Sequence, residues 1–330
     1  MSATLAALAE RSPDELSGLR LEPDGRYQVR ATTLREVTGE VVERLRGGFA
    51  GRSAESFPHL VCITGKCRTG STALTNLFGI AGVPAYYQPV KTILRHRLLG
   101  GPGDAWALPD AGAHTHVAAK EMTGPYTLAE CLFNPLECLT RAGYPTGRLH
   151  LLLLDRDPYE SLASWLAKWS DRVPREELMR NFVLASVAGE RLHAYAVEHG
   201  IDSVTYVHAL TRWPHEAVAA LLGRLGIGDR YEAGVVEDWG ARGALESGRA
   251  PLIFPDEPQA YRVAGLHSSE TDYSFKRRDT SGLAADERAL IAEASLVESY
   301  ERSVERSCRD LPLPDRVREA LAALPLAAGG

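Results

Sequence analysis

A chain of 330 residues, 45% hydrophobic and 24% charged, has ordinary globular composition and length enough for one large α/β domain or two smaller ones. A net charge of −6 and a pI near 6.0 exclude a global attraction to nucleic acid or to an anionic membrane surface, so neither is expected as a partner and any anion site must be local. Five cysteines (Cys62, Cys67, Cys131, Cys138 and Cys308), without zinc spacing or disulfide-scaffold density, fit a reducing compartment, and a cytoplasmic location is expected.

Residues 1–16 carry acids early and lack a basic start, so no signal peptide is expected, and no stretch approaches the roughly 18 apolar residues of a spanning helix. Residues 1–57 alternate short amphipathic patterns with turn signals, which predicts a helical N-terminal extension packed on a core domain spanning 58–330. Leu60–Thr64 reads as a buried strand, Gly65–Gly70 as a loop, and Ser71–Phe78 as a helix. Val83–Tyr87 is a second short strand, followed by a basic segment through Lys91, Arg95 and Arg97. His116–Lys120 is a third, and Arg148–Asp155 is the clearest buried parallel strand, with a helix expected from Pro158 to Trp169. Val204–Val207 and a helix from Pro214 to about Leu225 continue the alternation. A three-layer α/β fold of P-loop type follows, with a central parallel sheet flanked by helices. Between Trp239 and Phe275 a Gly, Pro and Ser-rich stretch reads as a lid-like loop, and Leu283–Cys308 as one closing helix capped by Ser281.

The segment Gly65-Lys66-Cys67-Arg68-Thr69-Gly70-Ser71-Thr72 lies between a buried strand and a helix, where unpaired amides and the helix dipole converge on an anion. Lys66 and Arg68 add charge there, Ser71 and Thr72 add hydroxyls, and Thr69 and Gly70 complete the loop. A nucleotide kinase or ATPase needs lysine directly after the second glycine; Ser71 stands there, although Leu151–Asp155 imitates the strand that carries the magnesium-binding aspartate in such enzymes.

After that strand, Asp155-Arg156-Asp157-Pro158 leads into a helix with Ser164 eight positions beyond Arg156. With the Arg68-Thr69-Gly70-Ser71-Thr72 loop, this spacing resembles the family of sulfotransferases that use 3′-phosphoadenosine 5′-phosphosulfate (PAPS). The resemblance spans Leu60 to Leu225, and Tyr273 to Tyr300 more loosely. It implies that the loop holds the 5′-phosphosulfate and that Arg156 and Ser164 read the 3′-phosphate. It also implies an additional basic contact from Lys168 and closure of Lys276-Arg277-Arg278 over the cofactor. Lys120, in Ala118-Ala119-Lys120-Glu121-Met122, resembles the family's strand-end lysine that stabilises transferring charge, and Tyr206 stands one position early for its adenine tyrosine.

The expected reaction is PAPS-dependent transfer of a sulfuryl group to a hydroxyl or amine of a small-molecule acceptor, with 3′-phosphoadenosine 5′-phosphate (PAP) as product and no metal. A P-loop kinase or ATPase and a catalytically silent nucleotide-binding relative are the alternatives. Several branches place a glutamate where this chain has Gln88, which cannot act as a base. Glu121 is the expected base and His267 the runner-up. His116, on a strand about 13 Å behind Lys120, is expected to be a buried structural residue.

Overall fold

The computed structural model describes residues 3–109, 111–237, 239, 252–262 and 272–327. In chain order these form α1 (Ala3–Glu10), α2 (Pro13–Ser17), a two-stranded antiparallel ladder of β1 (Arg20–Leu21) and β2 (Thr32–Thr33), and α3 (Leu34–Phe49). Then come β3 (His59–Lys66), α4 (Ser71–Ile80), β4 (Ala85–Tyr87), α5 (Pro89–Leu98), β5 (His116–Thr123), α6 (Leu128–Leu132) and α7 (Pro135–Arg141). The remainder is β6 (Leu149–Asp155), α8 (Pro158–Trp169), α9 (Arg175–Glu198), β7 (Asp202–Val207), α10 (Pro214–Arg224), β8 (Leu252–Ile253), α11 (Ala285–Glu293), α12 (Leu296–Asp310) and α13 (Asp315–Ala322).

The fold is α/β: the six long-range strands form one all-parallel sheet in the order β7-β6-β3-β5-β4-β8. Alternation along β3 divides the core. Leu60 and Cys62 face one apolar layer, built with α3, α5, α8 and α9; Val61 and Ile63 face another, built with α4, α10, α12 and α13. All four are fully buried, as a central parallel strand covered on both faces requires. Val37, Val41 and Leu45 of α3 belong to the same cluster as Leu60, so the N-terminal helices contribute to the core as well as resting on it.

Local signals start the helices where side chains can take up their free amides. Thr33 and Glu36 form a capping box at α3, and Asp157 accepts from the amides of Tyr159 and Glu160 at α8, behind Pro158 at the first turn.

Three expectations change. The 24-residue α9, not singled out in the sequence, runs beside β3 and β6 with Leu178, Phe182, Val183 and Leu184 fully buried. The closing helix is two helices, broken at Ser295, whose φ of 50° lies in the left-handed region, and α13 follows them. The cap is Ala284, whose amide donates to Glu287 at 2.8 Å, while Ser281 bonds Asp279 instead. Within the supposed lid, Leu252–Ile253 adds a strand beside β4, while residues 240–251 and 263–271 lie outside the described residues. Among the described residues, no helix is long and apolar enough to cross a membrane.

At the carboxyl end of β3 the chain must pass close under its neighbour β6. Gly65 has φ +133°, and a Cβ there would stand 2.2 Å from the Leu154 carbonyl oxygen. Gly65→Ala should therefore lower stability by about 1–3 kcal/mol, seen as a lower denaturant midpoint at unchanged slope. Gly39→Ala, in α3 with open space around it, should be neutral or stabilising by up to about 1 kcal/mol.

Candidate functional site

β3 sits where the chain reverses direction across the sheet, with β5 and β4 to one side and β6 and β7 to the other. In open parallel sheets that crevice, at the carboxyl ends of the strands, is where ligands bind. β3 ends at Lys66 and α4 begins at Ser71, so the connecting loop is Cys67–Gly70. Arg68 (φ 71°) and Gly70 (φ 82°) are both left-handed. Thr69 Oγ1 donates to the Lys66 carbonyl at 3.2 Å, and the Leu74 amide closes on the Gly70 carbonyl at 3.1 Å. The amides of Ser71, Thr72 and Ala73 thus form the unpaired first turn of α4, at the positive end of its dipole.

The loop is laced to α8 and the turn before it at three points. Arg68 Nε donates to Ser164 Oγ at 2.9 Å, Trp165 Nε1 to the Cys67 carbonyl at 2.8 Å, and Arg156 Nη1 to the Arg68 carbonyl at 3.3 Å. Two motifs far apart in sequence therefore share one site. Burial pulls the Arg68 pKa down, and the nearby cations Arg156 and Arg278 act in the same direction. The group remains a cation, in surroundings short of negative charge. Arg156 is buried and held by Glu160 Oε2 at 2.6 and 2.9 Å, and it also donates to the Lys276 carbonyl at 3.1 Å.

Beyond Arg156 opens a cavity of about 770 Å³ lined in part by His208, Arg212, Phe275, Arg277 and Tyr300. The Arg212 guanidinium stands 3.7 Å from the centroid of the Phe275 ring, and the His208 ring lies 5.3 Å from it. Burial first, then the Arg156 and Arg212 charges, push the His208 pKa down to about 3, so the imidazole is neutral at pH 7. Arg277 and Arg278 are exposed beside this wall. Aromatic surface next to several arginines suits a planar ring that carries phosphate.

On the other side of the loop, Lys120 of β5 is buried and donates to Thr72 Oγ1 at 3.1 Å, with its ammonium 4.0 Å above the Tyr87 ring. Burial lowers its pKa to about 7. Lys120 thus reaches the first turn of α4 from β5, while Arg68, in the loop before that turn, is bonded to α8.

Two expectations are corrected. Lys66 does not present its charge to the loop: its ammonium is ion-paired with Asp155, whose other oxygen accepts from Ser303 at 2.8 Å. Glu121 is not placed to act as a base. Strand alternation turns it away from Lys120, and its two oxygens accept from the Val90 and Lys91 amides at 2.7 and 2.9 Å, capping α5. It has no solvent exposure, and burial pushes its pKa up to about 8.

Gln88, with φ 53°, stands between the end of β4 and the first residue of α5, at the expected strand end. Lys168 is half-buried on the Ser164 face of α8 and has no ion-pair partner among the described residues. Tyr206 is in the core, its hydroxyl 3.4 Å from that of Tyr273. His116 is half-buried at the start of β5, stacked on His59 at the opposite end of the sheet from the loop. His267 lies outside the described residues.

His208, Arg212, Phe275 and Glu257 reach the site without having been assigned a role from sequence. They come from two connections, His208 and Arg212 between β7 and α10 and Glu257 and Phe275 between β8 and α11, and no local spacing marks them. Among the described residues, no group of three or more His, Cys, Asp or Glu side chains could hold a metal ion. Compared with protein-family models, curated proteins and solved structures, the chain finds no match.

The buried Lys120 has a measurable signature. With its folded pKa near 7, below the roughly 10.4 of an unfolded lysine, the unfolded chain binds more protons between those values. The penalty for the buried charge is complete below pH 7 and disappears as the pH rises toward 10. Lys120→Met should therefore exceed the wild type in stability at pH 6, with the gap closing between pH 7 and 10 in denaturant titrations.

Proposed function

We propose that the chain is a PAPS-dependent sulfotransferase acting on a hydroxyl or amine of a small-molecule acceptor. The observation that carries this reading is the direct bond from Arg68 in the β3–α4 loop to Ser164 of α8, with Arg156 donating to the same loop. The two segments that the resemblance assigns to the phosphates are thereby in direct contact, and the cavity lined by Arg156 also holds Phe275, Arg212 and His208. This combination suits a nucleotide bearing separate phosphate groups at its 3′ and 5′ positions.

In that reading, the free amides at the start of α4 and Arg68 hold the 5′-phosphosulfate, while Arg156 and Ser164 hold the 3′-phosphate. The acceptor oxygen or nitrogen attacks sulfur, the bond from sulfur to the bridging phosphate oxygen breaks, and PAP departs. Lys120 and Arg68 neutralise charge on the equatorial and bridging oxygens, so the protein contributes positioning and electrostatics. The kinase reading has less support: Ser71 replaces its lysine, and Asp155, the residue that would meet magnesium, is held by Lys66 and Ser303.

PAP should raise the melting temperature by linkage whereas ATP with magnesium should not. Arg68→Ala should abolish transfer and weaken PAP; activity within about threefold of wild type, under 1 kcal/mol, would refute the assignment. Arg156→Ala and Ser164→Ala should each lose about 1.5–3 kcal/mol of the preference for PAPS over adenosine 5′-phosphosulfate. Equal weakening of both nucleotides in competition binding would restrict these residues to a structural role.

A further inference from the structure

A transfer to a hydroxyl releases a proton, and the carboxylates at this end of the sheet are nearly all engaged elsewhere. Glu121 caps α5, Asp155 holds Lys66, Glu160 holds Arg156, and Glu130 is fully buried against Lys91 and Arg95. His208 is neutral, but it follows β7, across β3 from Lys120.

Glu257 differs. It follows β8, whose Leu252 and Ile253 pair with Ala85 and Tyr86 of β4, so the segment after Ile253 emerges at the carboxyl end of the sheet. Phe254 stacks on Tyr87 with ring centroids 5.0 Å apart, and Tyr87 is the ring that carries the Lys120 ammonium. Glu257 Oε1 is ion-paired with Arg95 and lies 3.5 Å from Gln88 Nε2. Its Oε2 makes no hydrogen bond among the described residues, and the side chain keeps 16% of its surface accessible. Its charge acts on both neighbours, raising the Tyr87 pKa after burial and partly offsetting the fall at Lys120 that burial causes.

We propose that Glu257 is the proton acceptor for the sulfuryl acceptor, supplied by the segment after β8 to the place beside Gln88. The assignment rests on the sulfotransferase reading. The acceptor O–H gives its proton to Glu257 Oε2 as its oxygen bonds to sulfur; the sulfur bond to the 5′-phosphate breaks, PAP leaves with that electron pair, and Glu257 then loses the proton to water. Arg95 fixes the carboxylate from behind and is itself fully paired, with Glu130 Oε1 at 2.8 Å and with the Tyr261 ring 4.6 Å below its guanidinium. The charged and titratable groups around Glu257 are Arg95 and Lys91 of α5, Tyr87 of β4, Lys120 of β5, Glu130 of α6, and Tyr126 and Tyr261.

The test follows PAP release from PAPS by the full chain, with 2-naphthol as acceptor and with water alone. Glu257→Gln keeps a partner for Arg95 and should lower kcat by about 10²–10⁴-fold. The KM for PAPS and the melting-temperature rise caused by PAP should stay at wild-type values. The acid limb of the pH profile, which needs a deprotonated base, should flatten, while the alkaline limb that follows loss of the Lys120 proton persists. Formate should restore turnover to Glu257→Ala by filling the vacated space with a small carboxylate. A kcat within threefold of wild type, an unchanged acid limb, or transfer of that limb to His208→Gln would overturn the assignment. So would a loss that tracks reduced melting temperature and is not relieved by formate. A wild-type chain that PAP does not stabilise and that releases no PAP from PAPS would remove the sulfotransferase reading, and this proposal with it.

Discussion

The loop between β3 and α4 holds its shape because α8 grips it. A left-handed Arg68 is an uncommon conformation for a residue with a side chain, and it persists when neighbouring bonds over-determine it. Three such bonds come from α8 and the turn that leads into it: Ser164 to the side chain of Arg68 and Trp165 to the carbonyl before it, both on the helix, and Arg156, just ahead of it, to the carbonyl of Arg68. Because Trp165 is fully buried, the grip is anchored in the core layer and not at the surface. The position of the α4 amides, the direction of Arg68 and the wall shared with the cavity all follow from this contact.

Charge at this end of the sheet falls into two groups. Lys66, Lys91, Arg95 and Arg156 are buried and paired with Asp155, Glu130, Glu257 and Glu160, so their side chains hold segments in place. A buried ion pair is weak evidence of net stabilisation, since desolvation offsets most of its attraction; breaking one partner is what costs heavily. Arg68 and Lys120 are different. No carboxylate pairs with either among the described residues, and burial lowers the pKa of both. Cations without counter-charge are suited to receive an anion; Lys120, buried, bonds Thr72 in the first turn of α4, and Arg68, half-buried, reaches Ser164 of α8.

The fold class, the strand–loop–helix at Gly65–Ser71 and the helix that starts at Pro158 were legible from sequence because each rests on local pattern. A continuous apolar run of parallel-strand length, a glycine loop and a proline at the first helical turn act within about a dozen residues. α9 was less legible because most of its faces are covered and its periodicity is correspondingly blurred. The break at Ser295 was hidden for another reason: a single left-handed residue leaves the apolar spacing on either side intact.

What the sequence determined by itself was the layered α/β architecture and the residue types that converge on an anion, since alternation, apolar runs and capping residues are properties of neighbouring positions. What only the tertiary structure decided was which of those groups is free to act. Lys66 and Arg68 read alike in one loop, yet Asp155, nearly ninety residues later, engages the first and leaves the second to Ser164. Lys120 and Glu121 are adjacent, yet the pleat sends one to the loop and the other to the amides of α5. Glu257 enters only because β8 joins the sheet beside β4. The physical reason is common to all three: a side chain's role depends on which partner fills its hydrogen-bonding and charge capacity, and that partner arrives through packing between segments distant in the chain.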